Sequence, residues 1–127
     1  MGGDSGYILH GAVGTGSFVV EAALLKAGAP HTLVNMWQRG DKKRPRLRSS
    51  PFVELNPKGQ VPVLVLPGGE VVTESAAILL HLAAAFPEAQ LAPAPGTPAH
   101  ATFLRHLLLI YDICAPPPSS PCCRADG

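Results

Sequence analysis

Apolar and polar positions along this chain fall into short blocks punctuated by glycine and proline. Residues 7–10, Tyr-Ile-Leu-His, read as a strand. Gly11, Gly14 and Gly16 then turn the chain, and Ser17 is expected to cap a helix over 18–27. Within it Val19, Ala22, Ala23 and Lys26 recur at helical spacing, and Gly28 supplies the stop. A second strand follows over 31–35, with Thr-Leu-Val at its centre. Strand, helix and strand in about 30 residues form a βαβ unit, whose crossover is right-handed and whose strands are parallel.

Beyond it the pattern changes twice. Residues 39–48 hold six of the ten Lys and Arg residues, with Pro45 blocking a helix, and read as a solvated loop or insert. No aromatic lies inside that cluster for base stacking, so it does not carry a nucleic-acid reading. A short helix is expected over 50–55, stopped by Asn56-Pro57 and Gly59. Residues 61–66 and 70–73 form two apolar runs around the turn Pro67-Gly68-Gly69, which makes a hairpin. A helix over 74–85 carries Ala77, Ile78, Leu79, Leu80, His81 and Leu82 on its apolar flank and ends at Phe86-Pro87. A linker is expected over 88–98 and another helix over 99–114, with Phe103, Leu104, Leu107, Leu108 and Tyr111 on one side. That face has no evident partner helix. A disordered tail is expected over 115–127.

Composition narrows the function classes. The 127 residues suit one compact domain. Hydrophobic residues at 46% and charged residues at 15% exclude a disordered acidic or basic chain. A net charge of +1 gives no global field toward nucleic acid or a membrane surface, and no apolar run reaches the ~20 residues of a span. Residues 1–6 lack the basic start and apolar stretch of a signal peptide, so a cytoplasmic location is expected. Cys114, Cys122 and Cys123 all sit near the end of the chain, without disulfide-framework or zinc spacing, and read as free thiols; no metal is expected. His10 and His81 read as packed or half-exposed side chains, not ligands.

The order β-α-β-α-β-β-α is the layout of a thioredoxin-like α/β domain, here over 7–87. Within it, Asn56-Pro57-Lys58-Gly59-Gln60-Val61-Pro62 and then Glu74-Ser75-Ala76-Ala77-Ile78 resemble the N-terminal half of a cytosolic glutathione transferase. Tyr7-Ile8-Leu9-His10, Ala23-Leu24-Leu25-Lys26-Ala27-Gly28 and Phe103-Leu104-Arg105 fit the same family. The resemblance implies a cis bond before Pro62 and a glutathione cradle of Gln60, Val61, Pro62, Glu74 and Ser75. Val61 would pair through its backbone with the cysteinyl part of glutathione, as in strand addition. Glu74 and Ser75, at a helix start, would hold the α-amino and α-carboxylate groups of the γ-glutamyl end.

Family members also place a Tyr, Ser or Cys at the start of the first helix, where it favours the glutathione thiolate. Here the stretch reads Gly11-Ala12-Val13-Gly14-Thr15-Gly16-Ser17. The position that is Cys in the bacterial class is Gly16, and Tyr7 lies too early for the tyrosine role. Only Thr15 and Ser17 carry a hydroxyl, and both are catalytic candidates, with Thr15 preferred and Ser17 read mainly as a cap. The glycines do not form a dinucleotide loop: their order is G-x-x-G-x-G and no acid ends the second strand. No Cys-x-x-Cys follows strand one, so thioredoxin-type exchange lacks its nucleophile.

These expectations add up to a glutathione transferase-like chain that binds glutathione and activates its thiol toward an electrophilic small molecule. The helix over 99–114 would be the first of a truncated helical domain, so activity would be weak, and its bare face would favour self-association. The resemblance also implies a homodimer. Two alternatives stand beside this reading: a non-catalytic glutathione-binding or interaction module of the same fold, and an unrelated thiol-free thioredoxin-like scaffold.

Overall fold

A computed structural model of the protein describes residues 6–37 and 49–114. The expected basic loop and the expected tail, with Cys122 and Cys123, lie outside them. The elements are β1 (Tyr7–Gly11), α1 (Ser17–Ala27), β2 (His31–Asn35), α2 (Ser50–Leu55), β3 (Val63–Val65), β4 (Val71–Thr73), α3 (Ser75–Ala85) and α4 (Pro98–Cys114), with a 3₁₀ turn at Pro87–Ala89. The four strands form one sheet in the order β2-β1-β3-β4. β1 and β2 are parallel with Leu9 beside Leu33, whereas β3 is antiparallel to both β1 and β4. This is the thioredoxin-like architecture.

Alternation along β1 divides the apolar residues between two faces. Tyr7 and Leu9 pack with Val20, Ala23 and Leu24 of α1, Leu64 of β3, and Ile78 and Leu82 of α3. Leu9, Val20, Leu24, Leu64, Ile78 and Leu82 are completely buried. The other face is covered by a smaller cluster in which Phe52 of α2 meets Met36 and Val63. Burying a side chain of this size stabilises by about 1.5–3 kcal/mol, so the α1/α3 layer dominates the core.

Helical spacing located α1 but not its core face. Val20, Ala23 and Leu24 turn to the sheet, while Val19 is 41% exposed and Ala22 and Lys26 lie outward. The helix is apolar nearly all round, so periodicity cannot choose a side. The outward set lies under α4. Phe103 and Leu107 of α4 face Val19, Ala22, Lys26, Leu79 and Leu91 across an apolar groove of about 270 Å³. The expectation that α4 has no partner helix is corrected: it contacts α3 and shares this groove with α1, leaving Leu108 and Leu109 about half exposed.

β3 is shorter than the apolar run 61–66. Pro62 has no N–H to give a ladder, and pairing begins at Val63. The hairpin closes through Leu66 N–H to Glu70 C=O at 2.8 Å and Gly69 N–H to Leu66 C=O at 2.9 Å, with Gly69 at φ 99°.

On the α2 face, half-buried His10 lies against Phe52 with ring centroids 5.7 Å apart. Its buried Nδ1 has no hydrogen-bond partner among the described residues, and desolvation lowers its pKa from the ordinary 6.5. A folded-state pKa below the unfolded one means stability fully present above pH 6.5 and lost as the pH falls through the folded value. Urea midpoints measured from about pH 7.5 to 5 should fall toward acid, and His10→Leu should flatten the fall. Parallel curves for parent and variant would show that His10 does not supply it.

Candidate functional site

Strand direction gathers the site at one end of the sheet. β1 runs toward this end and hands over to α1. β3 runs the opposite way and begins here, just after Pro62. β4 reverses again, runs parallel to β1, and delivers the start of α3 to the same place. Two helix N-termini and the Pro62 turn thus meet. The closest approach is at Gly16, where a Cβ would sit 2.6 Å from Ser75 Oγ and 3.7 Å from Pro62 Cδ. Ser75 Oγ donates a long hydrogen bond to the Gly16 carbonyl at 3.4 Å.

The loop from β1 to α1 is tied by side-chain hydroxyls. Ser17 is 4% exposed and is the first residue of α1, not its cap; Gly16 occupies the cap position without a side-chain bond. The hydroxyl turns back instead of forward. Ser17 Oγ accepts the Ala12 N–H at 2.9 Å and donates to the Ala12 carbonyl at 3.0 Å. Half-buried Thr15 donates to the same carbonyl at 2.7 Å, and its Oγ1 is 2.8 Å from Ser17 Oγ. Gly11 makes room for this, since a Cβ there would lie 2.6 Å from Ser17 Cβ and Oγ.

The Pro62 turn is held from α2. Val61-Pro62 is a cis bond, as the family resemblance implied. Buried Asn56 ends α2, donates from Nδ2 to the Gln60 carbonyl at 2.9 Å and accepts the Lys58 N–H at 3.2 Å on Oδ1. Gly59, at φ 62°, closes the loop onto the Asn56 carbonyl. Gln60 and Val61 are half-buried and Pro62 is buried. Across from them Glu74 is exposed at the cap of α3 with φ 68° and ψ 116°, and Ser75 is half-buried. A non-glycine residue in that region persists only where its surroundings hold it, which is common at binding sites. Sequence reasoning had Glu74 inside the helix and gave Asn56 no role of its own.

The sequence of residues 17–85 matches the family model for the glutathione S-transferase N-terminal domain. The chain belongs to the glutathione S-transferase family. It is 37% identical over 79 residues to the glutathione S-transferase GstA of Escherichia coli O157:H7, a match covering 61% of this chain and 37% of that protein. Among solved structures it is similar to a Sulfitobacter glutathione transferase homologue with bound glutathione, at TM-score 0.71 and 29% identity, covering 85% of this chain and 49% of that one. A glutathione transferase from Methylococcus capsulatus strain Bath gives TM-score 0.69 and 32% identity, covering 82% and 50%. The chain thus spans half or less of the length of these relatives. Family membership removes the unrelated-scaffold alternative.

Within this transferase-family chain, the described residues hold no cluster of His, Cys, Asp and Glu suited to a metal ion, and no helix long and apolar enough to cross a membrane. What the site offers is two helix starts, the hydroxyls of Thr15 and Ser75, and one acid at a forced backbone position. Such helix starts favour anions.

Asn56 governs the presentation of the Pro62 turn. Asn56→Ala removes two part-buried hydrogen bonds and should lower stability by about 1–3 kcal/mol in urea unfolding. Hydrogen exchange at the Lys58 amide should quicken with it. Unchanged protection of that amide would mean the turn holds its shape without Asn56.

Proposed function

We propose that this chain binds glutathione at the junction of α1, α3 and the Pro62 turn and activates its thiol for attack on an electrophilic small molecule. The observation that carries the reading is the meeting of Gly16, Pro62 and Ser75 within contact distance at one end of the sheet. The glutathione bound to the Sulfitobacter homologue supports the choice of ligand. Val61 offers backbone groups beside β3 for an extended peptide to pair with, and Gln60 flanks them. The α-carboxylate of the γ-glutamyl end goes to Ser75 at the start of α3, and the α-ammonium to Glu74. The cysteinyl sulfur then faces the start of α1, where Thr15 donates its hydroxyl proton to it and the helix dipole favours the thiolate. The thiol proton passes to water, the sulfur forms a bond to the electrophilic carbon, and the displaced group leaves with its electron pair.

A second reading has its own support. Both hydroxyls at the start of α1 are engaged by the loop, and Gly16 contributes no side chain, which suits a glutathione-binding module without turnover. A thiol-transfer assay with a simple electrophile separates the two, since both bind glutathione and only the first consumes it.

Calorimetry tests what they share. Glu74→Ala combined with Ser75→Ala should weaken glutathione binding by roughly 1–3 kcal/mol, the scale of hydrogen bonds to charged groups. Unchanged affinity would remove both residues from the site.

A further inference from the structure

The hydroxyl pair at the start of α1 has more acceptors than protons, and this assigns Ser17 a function. Thr15 and Ser17 have one O–H proton each. Around them lie the Ala12 carbonyl, 2.7 Å from Thr15 Oγ1 and 3.0 Å from Ser17 Oγ, and each other's oxygen at 2.8 Å. Thr15 and Ser17 both donate to the Ala12 carbonyl, at 2.7 and 3.0 Å, while the Ala12 N–H anchors Ser17 Oγ at 2.9 Å. Ser17 itself is buried, so it does not reach a ligand. We infer that Ser17 is a positioning residue that frees the Thr15 proton: when Thr15 turns its O–H to the glutathione sulfur, the Ser17 O–H already on the Ala12 carbonyl keeps that acceptor paired. No heavy atom need shift, because Ser17 Oγ already lies 3.0 Å from that carbonyl. Without Ser17 the turn of Thr15 would leave a carbonyl of a buried residue unpaired.

The inference rests on the proposed glutathione reading, and its test separates the two. Glutathione affinity is measured by calorimetry on the parent chain, Ser17→Ala, Ser17→Cys and Thr15→Val, and the thiol pKa of bound glutathione by thiolate absorbance against pH. Ser17→Ala should keep its affinity at a pH where the bound thiol is protonated, yet raise the thiol pKa by about one unit, a tenfold loss of thiolate below the pKa. Thr15→Val should do the same, and the double variant should go no further than either, because both act through one proton. Ser17→Cys, a weaker donor of similar shape, should fall between and covers the case in which the alanine variant does not fold. Binding by the parent with an unshifted thiol pKa in the Ser17 variants overturns the inference alone, as does a double variant whose shift is the sum of the two. Absence of glutathione binding to the parent overturns the functional reading and the inference with it.

Discussion

A Cβ at position 16 would lie 2.6 Å from Ser75 Oγ, and the shape of the candidate site follows from that closeness. α1 and α3 share one face of the sheet and pack on the same buried strand residues, Leu9 and Leu64 among them. Their starts coincide because β1 and β4 point the same way, which two antiparallel steps through β3 guarantee. The start of β3 is brought to this end by the same directions. Gly16 is therefore the point where the core packing of two helices and the geometry of the Pro62 turn meet. A side chain there must displace Ser75.

The two sides of the junction are held by different chemistry. On the Pro62 side a single amide side chain, Asn56, does the work of a short ladder by bonding the Gln60 carbonyl and the Lys58 amide. On the α1 side hydroxyls do it, because the four residues 12–15 between Gly11 and Gly16 have no strand to lean on. Glycine at 11 lets Ser17 tuck inward, and glycine at 16 lets the helix approach α3. The same glycines that argue against a dinucleotide loop have steric reasons of their own.

Much of this was legible in the sequence. The element order and the hairpin follow from apolar runs bounded by glycine and proline. The Asn56–Pro62 and Glu74-Ser75 segments stand out because their residue types suit a turn and a helix start. Three things were not legible, each for a physical reason. Ser17 was read as a cap, but Gly16 adopts helical angles (φ −60°, ψ −8°), so α1 starts at Ser17 and the hydroxyl turns back to Ala12. Glu74 takes φ 68°, which no propensity of glutamate predicts and only the packed junction can impose. The seat of α4 depends on Val19 and Leu79, distant in sequence and on helices too uniformly apolar to show which side they offer.

In the proposed reading, whether the junction merely binds the glutathione thiol or activates it depends on what Thr15 gives up. Its bond to the Ala12 carbonyl is a neutral one, worth about 0.5–1.5 kcal/mol net, while a bond to a thiolate is charge-assisted and worth about 1.5–3 kcal/mol. Exchanging one for the other favours the thiolate by about 1 kcal/mol if nothing else changes. An orphaned carbonyl would cost about 1–3 kcal/mol and cancel that gain. Ser17, 3.0 Å from the same carbonyl, removes the penalty while keeping its own acceptor role toward the Ala12 N–H. On that reading the balance turns on a buried serine, in a loop whose Gly11 leaves room for it.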